Sequence, residues 1–203
     1  FFHNMNLDLF INIPKRIQFG FLSTMRGCFL YPSLLNSVES IENKTLLDVG
    51  TGYGSIFLAD YSKDKPSKII GVDYSNSMLE KSKINADNLT SQYGIKTDTI
   101  KASATDLPFE DSSIDILIDD WCMPHLAKEK LHKKALEEYK RVISSSGTVI
   151  VAPSKPWKYS FHNYIHKRIN SAIEDVFPNH KEIQLNNPYK YSMKLPAFFH
   201  LIK

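Results

Sequence analysis

The chain has 203 residues, of which 42% are apolar and 23% charged, with a formal net charge of +3. That is enough chain to bury one full α/β core, and the balance is that of an ordinary soluble globule. No apolar run nears the roughly 18 residues of a membrane span, the basic residues are too scattered to argue for nucleic acid, and Cys28 and Cys122 have no metal or redox spacing.

The two cysteines read as reduced thiols in a cytoplasmic protein. The chain opens on Phe1 without a methionine, so its natural start is expected upstream. Residues 1–32 are rich in aromatics (Phe1, Phe2, Phe10, Phe19, Phe21, Phe29, Tyr31), interrupted by Pro14, Gly20, Gly27 and Pro32. They predict short helices packed over a ligand mouth or, equally, along a sheet edge. A helix over Tyr31–Ile41 then leads into the first strand.

After Lys44 and Thr45, the residues Leu46, Leu47 and Val49 form a buried strand that runs into a loop with glycine at 50, 52 and 54. Ser55 to Tyr61 reads as a helix start. Glycines allow a tight strand-to-helix turn and let a ligand approach the backbone with no Cβ in the way, and helix N-terminal amides would point at the same spot. The loop is therefore expected to hold a nucleotide-like ligand. A turn without a ligand is the plainer alternative. A dinucleotide loop, G-x-G-x-x-G, would place its third glycine at position 55, where Ser55 stands; the glycine comes one residue early, at Gly54, and an acid, Asp48, precedes Gly50 by two.

A second strand, Lys68 to Asp73, ends in an acid nineteen residues beyond Gly54. That is the spacing of a carboxylate that takes both ribose hydroxyls. Asp73 could instead cap the following helix, a task that Ser75 can do alone. The helix runs from Asn76 to about Tyr93, with Met78, Leu79, Ala86 and Leu89 as its apolar stripe. A third strand, Thr99–Ala102, is followed by Ser103-Ala104-Thr105-Asp106-Leu107-Pro108-Phe109.

Asp48-x-Gly50-x-Gly52-x-Gly54, Asp73 with the Ser75-to-Leu79 run, and Asp106-Leu107-Pro108-Phe109 together resemble the class I S-adenosylmethionine-dependent methyltransferases of the small-molecule type. The resemblance extends over about Lys44 to Pro153. It implies a Rossmann-like three-layer α/β sandwich, with a seven-stranded, mostly parallel sheet and a C-terminal antiparallel hairpin strand. It also implies S-adenosyl-L-methionine as cofactor and S-adenosyl-L-homocysteine as product. The implied cofactor contacts are Asp48, Gly50, Gly52, Gly54, Asp73, Tyr74, Met78, Ser103, Ala104 and Asp120. Tyr74 and Met78 would flank the adenine, although Met78 fits the helix core at least as well. The family often has an acid where Ser103 stands, so the adenine contact falls to the Ser103 hydroxyl and the backbone near Ala104 and Thr105. Asp48 would help to place the loop and the cofactor's amino group.

The fourth strand, Ile114–Ile118, runs into Asp119-Asp120-Trp121-Cys122-Met123-Pro124-His125. The resemblance puts this segment beneath the transferred methyl and a histidine at position 125. His125 and Asp120 are the candidate general bases for a hydroxyl acceptor. Asp119 and Asp120 could instead draw in a cationic amine, or cap a helix. A helix from Lys130 to Val142 follows, with the Glu138-Tyr139-Lys140-Arg141-Val142 phrase, a turn at Ser144–Gly147 and a fifth strand, Thr148–Ala152. No proline pair follows Asp119 and Asp120, against an amino-methylating enzyme of nucleic acid or glutamine. Pro153-Ser154-Lys155 cannot supply the acids of a metal-dependent catechol-type enzyme, so no metal is expected.

Trp157 to Val176 reads as a helix, and Lys181–Leu185 and Ala197–Ile202 as a hairpin joined by residues 186–196, where Tyr189, Tyr191 and Met193 are candidates for a substrate wall. His162 and His166 are four apart on that helix with no third ligand, so they read as a polar face. The whole chain reads as one methyltransferase domain over 1–203: a helical cap over 1–43, a cofactor-binding core over 44–153, and a C-terminal helix and hairpin over 154–203. The expected reaction is in-line methyl transfer to an O, N or C nucleophile of a small molecule. An NAD(P)-dependent Rossmann oxidoreductase and a non-catalytic cofactor-binding subunit are the alternatives. The acceptor, the use of a general base and the oligomeric state are not legible.

Overall fold

The computed structural model describes residues 26–152, 160–185 and 197–202. Among the sequence expectations, those for residues 1–25, for Pro153–Lys155 and for the 186–196 connection with Tyr189, Tyr191 and Met193 lie outside the described residues. A wide helical turn of π type, Arg26–Leu30, leads into helix α1, Tyr31–Leu35. The expected helix stops well short of Ile41, because Asn36 and Ser37 close it: the Ser37 hydroxyl donates to the Leu34 carbonyl at 2.6 Å.

Strands β1 (Thr45–Val49), β2 (Lys68–Asp73), β3 (Lys96–Lys101), β4 (Ile114–Asp120), β5 (Ile143–Ala152), β6 (Lys181–Leu185) and β7 (Ala197–Ile202) form one sheet in the order β3-β2-β1-β4-β5-β7-β6. The first five are parallel, and β7 runs antiparallel to both β5 and β6. This is a Rossmann-like α/β fold. β1, β2 and β4 are buried along nearly their whole length, which is why they read as continuous Leu/Ile/Val runs. β3, KTDTIK, is an edge strand; it is polar except at Ile100 and has no fully buried residue.

Helices cover both faces. α2 (Asn76–Tyr93) and α1 share one core with Leu46, Ile69, Ile118 and Ile150; α3 (Met123–Lys128), α4 (His132–Val142) and α5 (Ser160–Val176) share the other with Leu47, Val72, Leu117 and Val149. Alternation along each strand divides its apolar residues between the two cores. The expected helix over Ser55–Tyr61 is only a short 3-10 turn, Ser55–Leu58. Ala59 is already extended, and the buried Tyr61 hydroxyl donates to the Ile56 carbonyl at 2.9 Å, closing the turn. The expected turn at Ser144–Gly147 is carried inside β5, where the pairing with β4 slips between Ile114 and Ile116. In the α2 stripe, Ala86 and Leu89 are buried, whereas Met78 and Leu79 are half-buried.

The chain winds outward from β1 to β2 and β3, then crosses to β4 on the other side of β1. The β1–β4 boundary is thus the topological switch point, where open α/β sheets bind ligands at the carboxyl edge.

Candidate active site

The glycine loop sits at that switch point. Gly50, Gly52 and Gly54 all have positive φ. The amides of Gly50 and Thr51 donate to the Val72 carbonyl at 2.8 and 2.9 Å, which ties the loop to the end of β2. At Gly50 the neighbour is Cys122, and a Cβ there would lie 2.7 Å from the Cys122 Cβ. Glycine therefore lets the loops after β1 and β4 touch. At Gly52, with φ of 54°, the nearest heavy atom to an added Cβ is the Gly50 carbonyl oxygen at 3.8 Å. That side of the loop opens onto space and not onto protein.

Asp73 closes the loop from the neighbouring strand. Its Oδ2 accepts the Gly52 amide at 2.9 Å and its Oδ1 accepts the Ser75 amide at 2.8 Å. Each oxygen keeps acceptor capacity, and the side chain is half-buried. Ser75 is the N-cap of α2 but makes no side-chain cap; its hydroxyl pairs with that of Ser77 at 3.0 Å. Tyr53 is pinned to α2, with Lys81 Nζ 4.4 Å from its ring centroid and Asn85 Nδ2 donating to its carbonyl at 2.8 Å. Tyr74 is 78% exposed at the rim, and Met78 lies one turn into α2.

The loop after β3 lies against the same edge, because the Ala102 amide donates to the Asp73 carbonyl at 3.2 Å. Ser103 shares a hydroxyl contact with Thr105 at 2.9 Å and bridges to Asp106, and Ala104 is buried. This loop is clamped from below by the Glu138–Arg141 phrase. Arg141 donates twice to Glu138, to the carbonyls of Leu107 and Phe109 and to Asp111, while Glu138 accepts the Leu107 amide. The Arg141 side chain holds the Glu138 carboxyl below its usual range.

At the end of β4 the two acids part company. Asp119 faces the α4 side: Oδ1 accepts the Cys122 and Met123 amides at 2.9 and 3.1 Å, and Oδ2 accepts the Tyr139 hydroxyl at 2.8 Å. It starts α3, the capping role weighed for it from sequence. Burial pushes its carboxyl up to about 7, against the pull of Tyr139 and the two amides. Asp120 lies on the opposite face, the face of Ile118 and Asp48, and is half-buried. Trp121, which follows the two acids, has φ of 78° and is 42% exposed. A bulky residue in that region is strained. His125 is exposed on α3. Burial, with Asp119, Asp73 and Asp48 nearby, keeps the Cys122 thiol well above its usual range and therefore protonated.

Asp48 is buried at the end of β1 and accepts the Tyr31 hydroxyl on Oδ1 at 2.8 Å. Its Oδ2 is buried without a hydrogen bond of ordinary geometry, as is the Thr51 hydroxyl, although that hydroxyl is near enough to favour the charged carboxylate. Burial pushes the Asp48 carboxyl up to about 7; Thr51 and Tyr31 pull it back, and Asp120 and Asp119 push it further.

Residues 41–193 match the family model of a methyltransferase domain. The chain belongs to that methyltransferase family. Its fold and family are those of the class I S-adenosylmethionine-dependent enzymes. Among curated proteins the methyltransferase domain is 34% identical over 120 residues to a demethylmenaquinone methyltransferase of Symbiobacterium thermophilum, covering 55% of this chain and 43% of that protein. It is 29% identical over 104 residues to phosphoethanolamine N-methyltransferase 1 of Zea mays, covering 50% of this chain and 19% of that protein. The chain thus spans less than half of either relative. Among solved structures it is similar to a SAM-dependent methyltransferase from Aquifex aeolicus, with TM-score 0.65, 18% identity, and coverage of 98% of this chain and 100% of that one. It is also similar to a geranyl diphosphate C-methyltransferase from Streptomyces coelicolor A3(2), solved with S-adenosyl-L-homocysteine, with TM-score 0.63, 13% identity, and coverage of 86% of this chain and 78% of that one. At these identities the structural likeness speaks for the fold.

S-adenosylmethionine is the cofactor of this methyltransferase family, and the residues present fit it. The Gly52 side of the loop is open, Asp73 has acceptor capacity beside it, and a buried carboxylate oxygen of Asp48 lacks a partner. Sequence reasoning missed Tyr31, Tyr139, Trp121 and the Glu138–Arg141 clamp as parts of the site. Tyr139 carried a signal, since Ala135, Leu136, Tyr139 and Val142 form the buried stripe of α4 and a tyrosine there needs a polar partner.

Proposed function

We propose that the protein transfers a methyl group from S-adenosylmethionine to a nucleophilic O, N or C atom of a small molecule. The observation that carries this reading is the joining of Asp73, at the end of β2, to Gly52 in the loop after β1, which sets a ribose-type acceptor beside an open glycine turn next to the switch point. When bound, the cofactor supplies an electrophilic methyl carried on a sulfonium. Asp73 accepts the ribose hydroxyls. The Ser103 hydroxyl and the backbone at Ala104 face the adenine, with Tyr74 and Met78 at its sides. Asp48 and the Gly50–Gly54 loop receive the methionine end.

The rest of the work is alignment and exclusion of water. A neutral amine needs little more. A hydroxyl acceptor needs its proton taken, and Asp120 at the end of β4 and His125 on α3 are the candidate bases for that. Curated relatives with small-molecule names, a menaquinone precursor and phosphoethanolamine, support a low-molecular-mass acceptor.

The test is incubation of the purified chain with methyl-labelled S-adenosylmethionine and a fractionated cell extract. Label is expected in the low-mass fraction. Label found only in protein or RNA would refute the small-molecule assignment, and no transfer to any fraction would favour a cofactor-binding subunit without turnover.

A further inference from the structure

Tyr31 is 2% exposed and belongs to the same core as Leu34, Leu46 and Ile118, while its hydroxyl reaches Asp48 at 2.8 Å. Asp73 and Asp119 have both carboxylate oxygens engaged: Asp73 holds the amides of Gly52 and Ser75, and Asp119 those of Cys122 and Met123 together with the Tyr139 hydroxyl. Asp48 differs. One oxygen takes the Tyr31 phenol, and the other is buried with no hydrogen bond of ordinary geometry, only the Thr51 hydroxyl lying near the carboxylate. An acid buried in this way is costly unless a ligand completes it.

We propose that Tyr31 is a positioning residue for the cofactor: by donating to one oxygen of Asp48 it orients the carboxylate and leaves the other oxygen for the ligand's ammonium group. This rests on the cofactor reading above. Asp48 must be ionised to receive a cation, and every neighbour bears on that. From α1 the Tyr31 hydroxyl favours the charged form, as does Thr51 in the loop. From β4, Asp120 and Asp119 oppose it. Tyr61, Cys122 and Tyr139 stay neutral, their own ionisation suppressed by burial. With burial raising Asp48 to about 7, ligand binding near neutrality drives a proton off it. Tyr31 is the donor in this set that the chain supplies from outside the cofactor-binding sheet, so α1 tunes the site without touching the ligand.

The experiment is calorimetric titration with S-adenosylhomocysteine between pH 6 and 8.5 for the wild type, Tyr31→Phe and Asp48→Asn. In the wild type, affinity should fall as pH drops below the Asp48 midpoint. Tyr31→Phe removes a donor to the charged form and should shift the midpoint up by about one pH unit, so binding is roughly eightfold weaker at pH 6.5 but within about twofold at pH 8.5. Asp48→Asn should bind weakly with a flat profile. Equal weakening of Tyr31→Phe at every pH, or a flat wild-type profile, would overturn the proposal, since lost packing alone does not move a midpoint. Should Tyr31→Phe fail to fold, proton release by the wild type decides. Titrations in phosphate and Tris at pH 7 should show about half a proton leaving per ligand bound, and none would overturn the proposal. A wild type that binds no S-adenosylhomocysteine at any pH would instead refute the cofactor reading itself.

Discussion

Asp73 ties Gly52 and Ser75 with its two oxygens, and the proposed ribose contact would draw on their remaining acceptor capacity. Asp73→Ala should weaken S-adenosylhomocysteine binding by about 1.5–3 kcal/mol, the scale of hydrogen bonds to a charged group; unchanged affinity in calorimetry, with the fold intact, would remove the ribose role. Gly50 and Gly52 separate packing from ligand approach. Gly50→Ala sets a Cβ against Cys122 and also carries the backbone cost of its positive φ, so it should lower stability by about 2–5 kcal/mol. Gly52→Ala brings its Cβ no closer than 3.8 Å to any protein atom beyond its chain neighbours, so only the backbone cost of about 1–2 kcal/mol applies, while cofactor binding should fall more than tenfold. Equal binding losses in the two variants, scaled to stability, would show that the open side of Gly52 has no part in binding.

Two buried carboxyls also set a pH dependence. Asp48 and Asp119 are both raised to about 7, so the folded protein holds protons that the unfolded chain gives up near pH 4. Their burial is uncosted below that unfolded value, and the penalty grows as pH rises through the folded one. Stability of the ligand-free protein should therefore decline between about pH 4 and 7. Asp48→Asn should flatten part of that decline and raise the melting temperature at pH 8 relative to the wild type; a variant less stable than the wild type at pH 8, and equal to it at pH 5, would contradict this.

At the scale of elements, α4 joins the two halves of the site. Through Tyr139 it holds Asp119 and so the start of α3; through Glu138 and Arg141 it holds the loop that contains Ser103 and Ala104. Arg141 is about one-third exposed, so solvent screens its ion pairs, and its hydrogen bonds to two carbonyls are the firmer part. Arg141→Ala should cost about 1–2 kcal/mol and weaken adenosine-type ligands, and Arg141→Lys should not restore them because one ammonium cannot serve a planar fork of partners. Restoration by lysine, measured by thermal melting and ligand titration, would mean that charge alone suffices.

The elements differ in how far they could be read beforehand. β2 and α2 were legible end to end because the apolar run, the acid and Gly94 mark their limits. β4 extends two residues beyond the apolar run, since Asp119 and Asp120 pair with Val151 and Ala152 despite their charge. The short turn at Ser55–Leu58 was not legible, because its apolar residues suit a helix and a tertiary contact, Tyr61 to Ile56, stops it. The glycine loop and Asp73 showed in the spacing. Tyr31 did not, because its partner is seventeen residues away and nothing in a run of aromatics marks one as a donor to a buried acid.

At the scale of the molecule, the sheet order does the placing. β1 lies between β2 and β4, so the acid and glycines that end β1 meet Asp73 from one side and Asp120 and Cys122 from the other. The two helical layers bury the sheet and leave its carboxyl edge as the place where backbone amides, glycines and acids converge. The same fold could hold a nicotinamide dinucleotide, and the early third glycine at Gly54 is what argues for the smaller S-adenosyl cofactor. The most direct test is a pair of calorimetric titrations of the wild-type chain, one with S-adenosylhomocysteine and one with NADH. One-to-one binding of S-adenosylhomocysteine, weakened by about 1.5–3 kcal/mol in Asp73→Ala, with no heat from NADH, is the predicted result; saturable binding of NADH with no response to S-adenosylhomocysteine would contradict it.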